Sequence, residues 1–224
     1  MKILVICAHP DDEVLGFGGM IKKFSESNEI FILIMTNGCD TRYGSEMIDT
    51  LQEQTRKAAA ILGANQVIFE KLPNQKLDTI PILQVTETIE KYLKLFKPDI
   101  VFSHSECDLN LDHKIIFEAT ATAVRPLPNQ MVKAFYTYYV PSSTDWGGLS
   151  SQKPFVPNVL LPIDKEIDSK VKALECYRSE LRPFPHPRSV EGLRTYSKSW
   201  GLSCGISAAE PFILIRSIGI PYIS

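Results

Sequence analysis

Short apolar runs alternate with longer amphipathic stretches through the first half of the chain. The short runs are rich in Val, Ile, Leu or Phe and have the length of buried strands; they are residues 2–8, 30–36, 66–71 and 99–104. The longer stretches have helical spacing; they are residues 14–27, 46–62, 82–96 and 113–124. This βαβα alternation predicts an α/β fold with a mainly parallel sheet and helices on both faces.

The second half is less regular. The pattern predicts strands at residues 133–140, 156–161 and 212–218, helices at 164–180 and 189–199, and a polar turn at 142–148. No internal repeat or linker interrupts the sequence, which is 224 residues long. We therefore expect a single domain over residues 1–224.

Composition excludes several partner classes. The formal net charge is -2, and no segment concentrates Lys and Arg between aromatics, so we expect no nucleic-acid partner. No apolar run approaches the roughly 18 residues that cross a bilayer, so we expect no membrane association. The five cysteines are scattered without a C-x-x-C pair, which favours a reducing cytoplasm. The sequence leaves open whether the protein forms a homo-oligomer.

The first predicted strand runs into a turn that carries several potential metal ligands, Ala8-His9-Pro10-Asp11-Asp12-Glu13. In a doubly wound sheet this turn lies at the carboxyl edge, where ligands bind. Three carboxylates at a helix N-terminus disfavour a phosphate and favour a cation. His9 and Asp12 are three residues apart on a tight turn, so both could reach one Zn²⁺. The alternative is an acidic turn that only caps a helix.

A second acidic loop follows the strand at 99–104 and ends with Asp112-His113. It lies at an equivalent sheet edge, so it can supply a third ligand and leave a fourth position for a water whose pKa zinc lowers to about 7. Asp11 stands beside Asp12 on the other side of the turn, where it can act as a base without occupying the metal.

These motifs resemble the LmbE-like/PIG-L family of zinc-dependent N-acetylglucosamine-type deacetylases. The matching pieces are the turn at 8–13, the string Asn110-Leu111-Asp112-His113 and the stretch at 184–189. The resemblance implies a Rossmann-like fold and amide hydrolysis. It also implies that the zinc ligands are His9, Asp12 and His113 and that the general base is Asp11.

Asn110 departs from the family pattern, because many members carry a histidine there. An amide cannot act as an acid, but it can donate a hydrogen bond to an oxyanion. We therefore expect His186, held between two prolines, to help deliver the proton to the departing amine. Asp112 is a further candidate catalytic residue, and His104 is expected to orient its loop.

Candidate substrate-binding residues are Arg42, Trp146 and Arg188. Arg42 is a substitute for a family arginine whose expected position holds Leu51. Trp146 lies in an amphipathic loop and could stack on a sugar face or simply anchor that loop.

The leading hypothesis is a zinc hydrolase that removes the N-acetyl group from a small-molecule amino sugar or glycoconjugate by metal-activated water. The alternative is a metal- or sugar-binding protein of the same fold without turnover, suggested by Asn110. A nucleotide-binding oxidoreductase is disfavoured by the acidic turn. A serine hydrolase is disfavoured too, because no strand precedes the G-x-S-x-G string at 201–205. A thiol enzyme would rest on Cys107 alone, and an isolated cysteine is more often a small buried residue.

Overall fold

A computed structural model of the protein describes residues 1–38, 47–128, 132–147 and 154–219. Its strands are β1 (Lys2–Cys7), β2 (Glu29–Thr36), β3 (Gln66–Leu72), β4 (Ile100–Ser103), β5 (Ala134–Tyr138), β6 (Val159–Pro162) and β7 (Ala209–Ser217). They form one sheet in the order β3-β2-β1-β4-β5-β7-β6. The first five strands are parallel, and β7 runs antiparallel to both β5 and β6. The mainly parallel sheet predicted from the sequence is confirmed.

The helices are α1 (Asp12–Phe24), α2 (Ile48–Leu62), α3 (Ile82–Phe96), α4 (Leu111–Ala123), α5 (Ser143–Gly147), α6 (Ile167–Leu174) and α7 (Val190–Leu202). They cover both faces of the sheet. Along β1, Ile3 and Val5 pack with α1, α2, α6 and α7 on one side. Leu4 and Ile6 pack with α3 and α4 on the other. The period-2 alternation of a strand buried on both faces thus builds two apolar cores.

Two elements of the second half differ from the prediction. Residues 143–147 form the short helix α5 instead of a polar turn, and two of its polar side chains accept backbone N–H groups that lie just before it. The Val140 N–H donates to the Thr144 hydroxyl at 2.9 Å, and the Ser142 N–H donates to Asp145 at 2.8 Å. The helix predicted at 164–180 is limited to α6, after which the backbone turns and buries Tyr177 completely.

The topology places two loops side by side. β1 and β4 are parallel neighbours, so their carboxyl ends meet at the same sheet edge. The loop after β1 leads into α1, and the loop after β4 leads into α4. Both sequence motifs therefore converge. Among the described helices, none has the length and apolar character needed to cross a membrane.

Candidate active site

His9, Asp12 and His113 converge where the two loops meet. One potential ligand atom from each lies within 4.8 Å of the others. His9 Nδ1 is 3.2 Å from His113 Nε2, and each of these nitrogens is 3.5 Å from Asp12 Oδ2. Two imidazole nitrogens and one carboxylate oxygen are a donor set that catalytic zinc sites use.

The surroundings of Asp12 fit a bound cation. Its Oδ1 atom is buried and has no hydrogen-bond partner in the described parts of the chain. Burial opposes ionisation of Asp12, but His113 holds the pKa of its carboxyl well below the usual range. Burial would also lower the pKa of His113, yet Asp108 and Asp12 outweigh it and raise the pKa to about 10. The pocket is thus built to stabilise positive charge, which a metal ion can supply in place of a proton.

A carboxylate lies behind each of the two histidines. His9 Nε2 is 3.1 Å from Asp112 Oδ2, and His113 Nδ1 is 3.1 Å from Asp108 Oδ2. Such outer carboxylates fix the tautomer and the orientation of metal-binding imidazoles. The sequence predicts that Asp112 is a catalytic residue. In the structure, its carboxylate contacts His9 and accepts the Gln75 N–H at 2.7 Å.

Asp108 is a residue that sequence analysis missed. It is buried, and its Oδ2 accepts hydrogen bonds from the Ser143 and Thr144 hydroxyls at 3.0 and 2.8 Å. These bonds tie α5 to the residue that orients His113. A metal-bound imidazole needs a carboxylate or carbonyl behind it. The acidic loop around Asp108 was therefore the feature of the sequence that could have identified this residue.

Asp11 lies beside this cluster and is nearly fully buried. Its Oδ2 is 3.1 Å from Arg188 Nη1, and its backbone N–H donates to Glu13 Oε2 at 3.1 Å. Burial raises the pKa of Asp11 to about 7, with Arg188 opposing this shift and Asp12 adding to it. A carboxyl with a pKa near neutrality is suited to accepting and returning a proton.

His104 forms an inner wall of the cluster. It is completely buried, its ring stacks on His113 with centroids 3.8 Å apart, and its Nε2 accepts the Ala8 N–H at 2.9 Å. Burial and the neighbouring His113 lower the pKa of His104 to about 4. The neutral ring therefore supports the first loop through Ala8, whereas the sequence led us to expect that His104 orients the loop that follows its own strand.

A cavity of about 530 Å³ opens beside the three ligand atoms. The sequence-predicted residues that line it are His9, Asp11, Asn110, Trp146, His186 and Arg188. Its volume lies within the range of small-molecule sites, which is roughly 300–1,000 Å³. Arg42, the remaining candidate for substrate binding, lies outside the described residues.

Two polar side chains on the cavity wall have defined hydrogen-bonding states. Asn110 caps α4, since its Oδ1 accepts the Asp112 N–H at 2.9 Å, which leaves the amide NH₂ as its donor group. His186 Nδ1 accepts the Arg188 N–H at 3.0 Å, so a neutral His186 carries its proton on Nε2. Burial and the cations Arg188 and Arg182 lower the pKa of His186.

The cavity also has an apolar rim, formed by Leu109, Leu111 and Trp146. These side chains are 51%, 51% and 43% exposed, respectively. The rim is held firmly, because the Leu109 N–H donates to the Ser143 carbonyl at 2.9 Å and Trp146 packs edge-to-face on His186. A group of exposed apolar side chains around a polar cavity is typical of a surface that contacts a ligand.

Comparisons with known proteins identify relatives of this chain. The curated protein described as uncharacterized deacetylase YaiS from Escherichia coli (strain K12) is 29% identical over 187 residues, which cover 79% of this chain and 90% of that protein. The N,N'-diacetylchitobiose deacetylase from Pyrococcus horikoshii has a similar fold, with a TM-score of 0.77 and 24% identity, covering 96% of this chain and 84% of that one.

The same fold carries a different reaction elsewhere. The 4-carboxy-2-hydroxymuconate hydratase GalB from Pseudomonas putida KT2440 superposes with a TM-score of 0.76 at 19% identity, over 100% of this chain and 99% of that one. Fold likeness alone therefore does not assign a reaction. The sequence profile of the family described as PIG-L, GlcNAc-PI de-N-acetylase, matches residues 4–124, more than half of the chain. The chain belongs to the PIG-L (LmbE-like) family of de-N-acetylases.

Proposed function

We propose that this protein is a zinc-dependent hydrolase that removes the N-acetyl group from an amino sugar or glycoconjugate. The carrying observation is the convergence of His9, Asp12 and His113 beside a cavity that Asp11 also lines. Membership in the PIG-L family and the deacetylase activity for which the relatives are named support amide hydrolysis.

Zn²⁺ held by His9, Asp12 and His113 would supply a Lewis acid that lowers the pKa of water and polarises the amide carbonyl. Asp11 accepts the proton of the attacking water. Arg188 holds the Asp11 carboxylate in place during this transfer. An amine leaves poorly unless its nitrogen is protonated, and Asp11, having taken one proton, returns it to that nitrogen.

Asn110 and His186 act as hydrogen-bond donors in this proposal. The Asn110 NH₂ group donates to the oxyanion that develops from the substrate carbonyl. The lowered pKa of His186 and its bond to the Arg188 N–H favour a neutral ring that donates from Nε2. This differs from the proton-delivery role that the sequence suggested, and Asp11 takes that role here.

The apolar rim favours a conjugate over a free sugar. A monosaccharide is polar around most of its surface and has little use for Leu109 and Leu111. An aglycone with an acyl or aromatic group would cover both leucines, while Trp146 packs on the sugar or on the first part of the aglycone. Because Arg188 forms an ion pair with Asp11, we assign Arg188 to holding the base and not to binding the substrate directly.

A substrate panel tests the proposal. Zinc-loaded protein is mixed with N-acetylhexosamines, their alkyl and aryl glycosides and nucleotide sugars, and the free amine is measured. We expect amine release from at least one N-acetylated sugar and release of acetate in equal amount. Turnover of none of them would contradict the proposal.

A binding protein without turnover is the second candidate, because Asn110 replaces a familial histidine. It predicts zinc and sugar binding by calorimetry without amine release. A carrier needs no spare carboxylate beside its metal, so the buried Asp11 that lines the cavity favours the hydrolase.

A further inference from the structure

The backbone at Asp11 is strained. Its φ angle is 101°, in the left-handed region that residues with a side chain rarely adopt. Such strain persists only where the surroundings over-determine the conformation, and it concentrates at functional sites. Asp11 also directly precedes the proposed ligand Asp12. Specific contacts must therefore hold this peptide in place.

Glu13 contacts the backbone of Asp11. Its Oε2 accepts the Asp11 N–H at 3.1 Å, and its Oε1 accepts a hydrogen bond from the Tyr177 hydroxyl. Glu13 and Tyr177 are both completely buried. Tyr177 comes from the turn after α6, far along the chain, so this contact fastens the first loop to a segment that is distant in the sequence.

The side chain of Asp11 is held by Arg188, which is itself hydrogen-bonded to Ser142. Arg188 Nη1 reaches the Asp11 carboxylate, while its Nε donates to the Ser142 hydroxyl at 3.2 Å. Asp11 is thus held at its N–H by Glu13 and at its carboxylate by Arg188. The two contacts come from different directions and together fix both the peptide and the side chain.

We propose that Glu13 and Tyr177 are positioning residues for the base: they hold the strained Asp11 peptide so that its carboxylate points into the cavity. The inference rests on the proposed role of Asp11. Neither residue lines the cavity, so each acts through Asp11 and touches no substrate. Misplacing a catalytic group by about 1 Å can cost on the order of 10²-fold in rate, which sets the expected size of the effect.

Kinetics on the zinc-loaded protein form the first part of the test. We expect Glu13→Ala to lower kcat by about 10–100-fold, with KM and bound zinc unchanged. Glu13→Gln keeps an oxygen for the Asp11 N–H and a polar group for Tyr177, so it should restore most of kcat. Tyr177→Phe should lower kcat less than Glu13→Ala does.

Glu210→Gln is the matched control. Glu210 is equally buried and bonds to the α1 amides of Gly19 and Met20, away from Asp11. This variant should lower stability without lowering kcat. If Glu13→Gln is as slow as Glu13→Ala, or if Glu13→Ala loses zinc, Glu13 does not act by positioning Asp11.

Thermal unfolding tests the strain without any assay of activity. Asp11→Gly and Asp11→Ala both lack the carboxylate, but only alanine resists a positive φ. With Glu13 present, the glycine variant should unfold about 2–4 °C higher than the alanine variant. In a Glu13→Ala background the peptide can relax, so this gap should vanish or reverse.

An unchanged gap in the Glu13→Ala background would show that Glu13 does not maintain the conformation, and it would overturn the proposal. The unfolding measurement stays decisive even if no substrate is turned over. Failure of the proposed deacetylase activity is therefore distinguishable from failure of this inference.

Discussion

Among single residues, the adjacent Asp11 and Asp12 have different proposed roles: Asp12 is a metal ligand and Asp11 is the base. Asp12 faces both histidine nitrogens, while Asp11 contacts Arg188. Asp11→Asn should therefore retain zinc and lower kcat by about 10²–10⁴-fold, as expected for loss of a general base. Metal analysis and steady-state kinetics on the same sample measure both.

The control for this substitution is Asp164→Asn, which removes an exposed carboxylate that accepts the Ser207 N–H far from the cavity. It should leave zinc content and kcat unchanged. Near-normal turnover by Asp11→Asn would exclude Asp11 as the base.

His186 gives a second residue-scale prediction. His186→Ala should lower kcat about 5-fold with zinc retained, because it removes one hydrogen-bond donor worth roughly 1 kcal/mol. His186→Gln can still donate and should recover part of the loss. The alkaline limb of the pH–rate profile should keep its position in both variants, since a ring with a lowered pKa is already neutral there. Flattening of that limb would instead identify His186 as the proton donor.

At the scale of elements, α5 and the loop after β4 form one support for His113. Gly147 makes their close approach possible, because a Cβ there would lie 2.2 Å from the Cys107 carbonyl oxygen. Gly147→Ala should push α5 away from Asp108 and destabilise the fold by about 1–3 kcal/mol. Zinc affinity should fall about 10–100-fold, because the carboxylate behind His113 loses its hydroxyl partners.

Unfolding and zinc titration of Gly147→Ala check this coupling. Gly205→Ala is a suitable comparison, because the positive φ of Gly205 strains an alanine there while open space surrounds it. That variant should lose some stability and keep its zinc affinity. Equal zinc affinity in the two variants would contradict a link between α5 and the metal cluster.

The helices and strands of the first half could be predicted from the sequence more fully than those of the second half. The first half follows strong apolar periodicity, and all four predicted strands and helices there appear with shifts of only a few residues. In the second half, α5 is only five residues long and begins with three polar residues, so periodicity does not detect it.

The site divides in the same way. The residues proposed as ligands lie within two short motifs, so local spacing reveals them. The contacts of Asp108 with α5 and of Glu13 with Tyr177 join residues far apart in the sequence. Only the folded arrangement reveals such contacts, because no local pattern pairs these residues.

At the scale of the whole molecule, the seven-stranded sheet presents a rigid polar cavity with an apolar rim on one edge. The rim predicts that kcat/KM rises with the apolar area of the aglycone. Burying each added methylene contributes about 0.8 kcal/mol, which corresponds to roughly fourfold per group until the rim is covered. A series of alkyl N-acetylglucosaminides of increasing chain length measures this directly.

A double substitution of the rim, Leu109→Ser with Leu111→Ser, should remove the dependence on chain length and leave the methyl glycoside unaffected. The control is Leu95→Ser, which alters an exposed leucine on α3, outside the cavity. A flat series in the unaltered protein would mean that the rim does not bind the aglycone.

The most direct test of the central claim is a zinc titration of the metal-free protein, followed by release of amine from an N-acetylated sugar that the loaded protein accepts. We expect negligible turnover without metal and a linear rise in turnover that ends at one zinc per chain. The His113→Ala variant should show no such rise. Full activity in the rigorously metal-free protein, or a rise unaffected by His113→Ala, would contradict zinc-dependent hydrolysis at this site.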